Sequence, residues 1–402
     1  MFKAIRPILM ASFCVFLLTP ALTPAARAAD GDADSVVATR HTAPAPMPSA
    51  PTFISRHFTF EVMDGYLHYR YTDAGPHQVV NRDLFYKVST RLKIDLWGDG
   101  KTYVALRGES GQNFQLSWDY TGAGMHQRRW TYNLKSLYAG QKIGSHLEAQ
   151  VGGIEYDRGA GTEATYADND GWLEGYRLRY STSGHSWAPE KVSITVGFVG
   201  DLFQPNEFAR IHRMGDENYF QVLFQKKILK NGNASAEFFS LQGIRYERSA
   251  VRWTNVHAYL FDEIEAEQVV RATDNGAFGW FGTLTRKLDQ KGRFVPGFYY
   301  SDVPTQLFLN GKSQMWLTAD TLVLGKRTGP TFKFTPYKQI EFTLFGSKRL
   351  DNTPGPRYRG QIQVRYQFPI RFRGIRCGSA KIHLAAIAPE PDGRTTLLTS
   401  SF

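Results

Sequence analysis

Cysteine is scarce in this chain, with two among 402 residues. Cys14 lies in a leader-like N-terminus, so Cys377 is left alone, which excludes an internal disulfide framework. No Cys/His cluster has the spacing of a zinc site. Long apolar runs are also missing. No stretch of roughly 18 or more apolar residues follows the leader, which excludes a transmembrane helix but leaves spanning strands open, since these hide apolarity by alternation. Gly-x-Ser-x-Gly, the P-loop pattern and His-Glu-x-x-His are absent. These gaps point away from an enzyme and give no reason to expect a cofactor or metal. No motif recurs with a period of about 20–50 residues, which argues against a propeller or solenoid.

What is present begins with a leader. Lys3 and Arg6 precede an apolar run from Ile8 to Leu18, and Ala26-Arg27-Ala28 supplies a small-x-small cleavage pattern. The run falls short of the roughly 20 residues a spanning helix needs. Residues 1–28 are therefore expected to be a cleaved export signal. Residues 29–53 form a Pro/Ala-rich leader of low complexity, expected to be disordered in the periplasm. Formal net charge is +11, and it stays clearly positive after loss of Lys3, Arg6 and Arg27. Either an anion-favouring pore or ordinary solvated charge accounts for it.

From about Tyr66 to Phe368, amphipathic stretches are joined by short and long connectors in alternation. One stretch shows the pattern fully: Tyr86, Val88, Thr90, Leu92, Ile94 and Leu96 share one face, and Lys87, Ser89, Arg91, Lys93 and Asp95 share the other. Its length matches the roughly 9–11 residues of a tilted membrane-spanning strand, longer than the usual five or six. The expected fold is all-β, a transmembrane antiparallel up-and-down barrel over residues 54–368. About 14 strands are counted, or 16 if two hide between Glu247 and Asn275. Within that excursion Asp262 to Ala272 is expected to form a short helix. Further strands are expected at 234–246, 315–324 and 332–345, the last with a bulge or late start near Pro336. Trp97, Trp172, Tyr86, Tyr180, Trp280 and Trp316 are candidates for aromatic girdles at the membrane interfaces.

The stretch Arg365-Tyr366-Gln367-Phe368 resembles the closing strand of bacterial outer-membrane porins, where alternating aromatics end in phenylalanine. The resemblance covers the barrel as architecture and is nearest to monomeric substrate-channel porins, with alginate-export barrels more distant. It implies an outer-membrane location, contact with outer-membrane lipid, recognition by the barrel-assembly machinery and passage of small hydrophilic solutes. It does not extend to nucleic acid. The chain departs from that pattern by running on through Arg371, Arg373, Arg376 and Cys377 to Phe402, and 369–402 is expected to be a periplasmic tail.

A channel needs charges facing its lumen. Strand parity nominates Lys87, Arg91, Lys93, Asp95, Arg107, Glu109, Arg177, Arg179 and Arg365 as pore-lining. Opposed cationic and acidic rows would set a transverse field favouring anionic or sugar-type solutes; the plainer alternative is that these charges pair across neighbouring strands. Two other functions stay open at this point. An outer-membrane barrel enzyme or adhesin would work through long loops carrying His126, Asp168, His212 and Asp216. A soluble exported β-rich carbohydrate-binding protein would share the alternation.

Overall fold

Backbone groups in hydrocarbon find no water, so strands that alternate apolar and polar must pair on both edges until the sheet closes. The computed structural model describes residues 57–73, 81–112, 132–162, 166–167, 173–182, 188–199, 206–228, 231–258, 261–273, 276–307, 317–318, 325–353 and 357–368. The two leaders and the 369–402 tail lie outside the described residues. The first half of the sheet runs β1 (Phe58–Asp73), β2 (Asn81–Asp95), β3 (Thr102–Gln112), β4 (Tyr132–Ile143), β5 (Leu147–Ile154), β7 (Leu173–Ser181), β8 (Lys191–Val199) and β9 (Tyr219–Ile228). The second half runs β10 (Gly232–Leu241), β11 (Ile244–Ala258), β12 (Phe261–Arg271), β13 (Phe278–Thr285), β14 (Phe294–Val303), β16 (Gly325–Tyr337), β17 (Ile340–Arg349) and β18 (Tyr358–Gln367). All pair antiparallel with their neighbours, and β18 pairs back onto β1 from Asp64↔Gln367 to Asp73↔Tyr358. The result is a closed barrel of these sixteen strands. Two short pieces, β6 (Tyr166–Ala167) and β15 (Leu317–Thr318), pair with each other outside it.

The count corrects the expectation of 14 and meets the alternative of 16. Asp262 to Ala272 is no helix: β12 occupies it, with Glu263, Glu265 and Glu267 buried on one face. The 234–246 stretch is two strands, because Gln242 and Gly243 (φ 50° and 83°) make a tight turn between β10 and β11. The 332–345 stretch is also two, β16 and β17, joined through residues 338–339. Their ladder shifts register between Phe334 and Tyr337, the place of Pro336, whose missing N–H cannot complete a regular pairing. Of the 315–324 stretch only Leu317 and Thr318 are described as strand, and they lie outside the barrel.

Links 96–101, 144–146, 182–190, 229–231, 259–260, 286–293 and 338–339 share one end with Phe58 and Gln367. The opposite end carries 113–131, 155–172, 200–218 and 304–324, the four longest. Outward side chains are apolar and exposed, among them Val88, Val151, Leu178, Ile194, Phe220, Leu344 and Ile362. Of the girdle candidates, Trp97 is exposed in the turn after β2. Tyr180 and Trp280 point outward, Trp280 stacking on Tyr300 at 4.8 Å. Trp172, Trp316 and the Tyr86 side chain fall outside the description.

One segment of a long link packs on the outside. Helix α1 (Glu207–Arg210) lies over the outer face of β4, β5 and β7 near the long-loop rim, and the turn Ile211–Arg213 carries on to β8. There Arg210 meets Glu174 at 3.1 Å and Glu207 at 2.6 Å, and the Arg213 guanidinium lies 4.1 Å over the Phe198 ring.

Close strand contact at Gly140 makes a direct test. A β-carbon there would fall 2.2 Å from the Tyr103 ring, which fills the notch left by the glycine. Gly140→Ala should cost ~1–3 kcal/mol, read as a lower urea midpoint of the refolded barrel; an unchanged midpoint would contradict the packing.

Candidate pore constriction

Parity along each strand decides which charges enter the lumen, and one loop decides what they meet. After β5 the chain turns inward instead of rising above the rim. Residues 155–162 run along the inner wall past β7, β8 and β9 to β10. Its fastening is polar at every step. Gln221 Nε2 donates to the Asp157 carbonyl at 2.8 Å, and Ser235 Oγ donates to the Ala160 carbonyl at 2.9 Å. The Arg177 guanidinium donates to the Glu155 carbonyl. Gly159 passes so near the wall that a β-carbon would lie 2.3 Å from Ser235 Oγ, and Gly161 holds φ +81°. Only glycine fits such an approach and such a backbone.

The two carboxylates of this loop meet the cationic wall. Glu155 takes Arg91 at 2.8 Å and Arg107 at 3.2 Å. Asp157 takes Arg179 at 3.2 Å, Arg177 at 4.0 Å, and Lys191. Burial opposes ionisation, but Arg91, Arg107 and Lys135 hold the Glu155 carboxyl down at about 2. Lys191, Arg177 and Arg179 likewise outweigh burial and hold Asp157 far below the usual carboxylate range. Both are thus charged at neutral pH.

Around them the wall is a continuous polar network. Arg107 pairs with Glu109 at 2.5 Å; Lys135 adds 3.5 Å to the same carboxylate, and Ser89 Oγ donates to it at 3.2 Å. Arg177 donates to Thr195 Oγ1 at 3.0 Å and Gln150 Oε1 at 3.1 Å. Arg179 reaches Glu148 at 3.5 Å, and Lys93 sits 3.6 Å over the Tyr103 ring. Along β2 to β8 cations outnumber carboxylates. Further round the wall the sign reverses over one stretch, where Glu237, Glu263, Glu265 and Glu267 are buried on inward positions of β10 and β12, and turns cationic again at β16 and β18, where Arg327, Lys333 and Arg359 are buried. Arg248 pairs with Glu237 at 2.5 Å and Arg252 with Glu263 at 2.7 Å.

The sequence-nominated residues therefore divide. Arg91, Lys93, Arg107, Glu109, Arg177 and Arg179 meet in the inner network. Arg365 lies at the barrel seam, 2.8 Å from Asp64. Lys87 pairs in β2 with Tyr66 and Gly111, and its side chain is not among those described. Asp95, at the end of β2, caps the short turn that follows, accepting from the N–H groups of Trp97 (3.2 Å), Gly98 (2.9 Å) and Gly100. A carboxylate at a strand end binds turn amides in preference to water. Glu155, Asp157, Lys135, Lys191 and Glu148 were not foreseen. The Gly-Ala-Gly following Arg158 is the one sequence cue to close wall contact.

Higher in the lumen the lining turns apolar. Inward Tyr219, Phe239, Tyr246, Phe281, Tyr299 and Phe345 form a collar near the long-loop end, with Phe239 stacked on Tyr246 at 4.8 Å and Tyr299 on Phe345 at 4.9 Å. Leu307, from the link after β14, packs into it, and Tyr246 Oη donates to the Leu307 carbonyl at 3.0 Å. Of the residues suited to loop catalysis, His212 and Asp216 belong to the outer segment around α1, where Asp216 pairs with Arg213 at 3.3 Å. His126 and Asp168 lie outside the described residues. No metal-binding cluster occurs among the described residues.

The chain is similar in fold to solved porin structures. A substituted Rh. blastica porin aligns with TM-score 0.51 and 9% identity, covering 77% of this chain and all of that one. A second variant of that porin gives 0.50 and 10% over the same shares. A structure described as showing asymmetric conductivity of engineered proteins gives 0.51 and 9%, again with 77% and 100% covered. The fold is porin-like. No protein-family model and no curated protein sequence matches the chain.

Depressed carboxyl values set the sign of a pH test. A group whose folded value is lowered stabilises above its unfolded value, about 3.9–4.3, and loses this as pH falls through the folded one. A spin label at Ala160, in a Cys377→Ser background, should stay immobile from pH 7 to pH 5 and loosen only as pH nears about 2. Asp157→Asn leaves buried cations without their counter-ion, at a cost of ~3–5 kcal/mol, and should free the label at neutral pH. A label equally immobile in the variant would contradict the clamp.

Proposed function

We propose that this chain is an outer-membrane, porin-like channel for passive diffusion of small hydrophilic solutes, with a preference for anionic or acidic-sugar solutes. The observation that carries this reading is the inward loop 155–162, pinned by its own carboxylates to an arginine-rich wall inside a closed barrel. Such a loop narrows the lumen at one level and lines the narrowing with fixed charge. Arg91, Arg107, Arg177 and Arg179 supply a net positive arc, and Glu263, Glu265 and Glu267 oppose it across the lumen. A transverse field of this kind orients dipolar and anionic solutes while water fills the remaining space. The apolar collar restricts the outer mouth, so polar solutes follow the charged side.

The four longest links and the outward apolar band fit a barrel set in an outer membrane with Phe58 and Gln367 on the periplasmic side. Export by a cleaved signal over residues 1–28 and insertion by the barrel-assembly machinery belong to the same reading. So does the pore-lining role of Lys87. A monomer suffices for it, since each barrel encloses its own lumen.

Refolded protein in a planar bilayer should give discrete conductance steps, and a salt gradient should give a reversal potential of anion-selective sign. Arg177→Gln with Arg179→Gln should move that potential toward the cation side. A bilayer that stays silent with correctly folded protein overturns the channel.

A further inference from the structure

The outward surface carries one feature that diffusion through the lumen does not use. On the lipid side of the seam, Gly346 of β17 and Gly360 of β18 leave a notch of about 330 Å3 in the apolar band. Tyr69, Tyr71, Pro330, Phe332, Leu344 and Ile362 wall it. At Gly360 a β-carbon would meet nothing within 4 Å, so the space is open to the membrane.

Register fixes its depth. Gly360 pairs with Gly346, and Lys348 pairs with Tyr358, the next outward positions toward the long-loop end. With about 3.3 Å per residue, these lie roughly 7 Å above the notch. Lys348 is exposed at that level, and Arg357, one residue further toward the rim, is exposed with its guanidinium 5.1 Å from the Tyr358 ring. No ion pair between either of them and a described carboxylate is found. Lys326 on the same face already meets Asp302 at 3.8 Å, and Asp73 pairs in register with Tyr358. An apolar slot thus opens beneath two cations at the height of the lipid headgroups.

We propose that this notch holds an acyl chain of a phosphorylated outer-leaflet lipid, with the headgroup phosphate bound between Lys348 and Arg357. A slot of this kind gives a chain contacts on three sides where a smooth barrel gives one. The two cations favour an anionic headgroup over a second copy of this chain, whose apolar band would leave them unpaired. The inference rests on the barrel's place in an outer membrane and not on conductance.

Full-length protein, purified in detergent and mixed with diphosphorylated lipid A, should retain one lipid by native mass spectrometry. Lys348→Gln with Arg357→Gln should weaken retention about thirtyfold, at roughly one cation's worth of membrane attraction each. Gly360→Leu fills the slot and should weaken it about tenfold through lost apolar burial. Dephosphorylated lipid A should bind wild type and the double charge variant alike. Equal retention of both lipids by wild type overturns the proposal. So does undiminished retention in the double charge variant, which alters only exposed side chains and keeps the test decisive if Gly360→Leu fails to fold. A cross-link between two copies through residue 360 that lipid does not compete away also overturns it.

Discussion

Closure of the sheet is the constraint from which the rest follows. A strand edge left open in hydrocarbon would strand a row of N–H and C=O groups, each costing several kcal/mol. The β1–β18 ladder removes that edge over ten paired positions. Arg365 and Asp64 reinforce it from the inside, at the level where the first and last strands meet. Once the cylinder is shut, every strand has a lipid side and an inner side, and the period of two sorts each residue into one or the other. Apolar Leu178 and Ile194 therefore face out while Arg177 and Thr195, their neighbours in sequence, bond to each other within.

An interior that receives so many guanidinium groups needs anions close by. Loop 155–162 provides them. Charges in a partly dry lumen are expensive unless paired and hydrogen-bonded, and Asp157 answers this for three cations at once. Loop and wall thus depend on one another: the wall would repel itself without the loop, and the loop would have no reason to stay inside without the wall. The same demand explains Arg248 with Glu237 and Arg252 with Glu263 on the far side.

The alternation of residues 86–96 made the barrel legible, as did the contrast of short and long links. Strand number was less so, for local reasons. Glu263, Glu265 and Glu267 look helical in a chain read for propensity, because carboxylates are rare on a buried strand face unless something inside pairs with them. The hairpins at Gln242-Gly243 and Lys338-Gln339 lack the Asn-Gly or Asp-Gly signature of a two-residue turn, so two pairs of strands read as single long ones. Of the lumen network, the half that lies on strands was visible by parity. Glu155 and Asp157 were not, since a loop that folds inward carries no period. The collar of Tyr219, Phe239 and Tyr299 was hidden because aromatics suit either face of a barrel strand.

The assignment of faces is most directly tested by spin labels placed singly at residues 88 to 94 of β2, in reconstituted membranes. Labels at 88, 90, 92 and 94 should collide with oxygen dissolved in the lipid, and those at 89, 91 and 93 with a water-soluble nickel complex. A flat profile, or one with the two phases exchanged, would contradict a closed barrel that is oily outside and polar within.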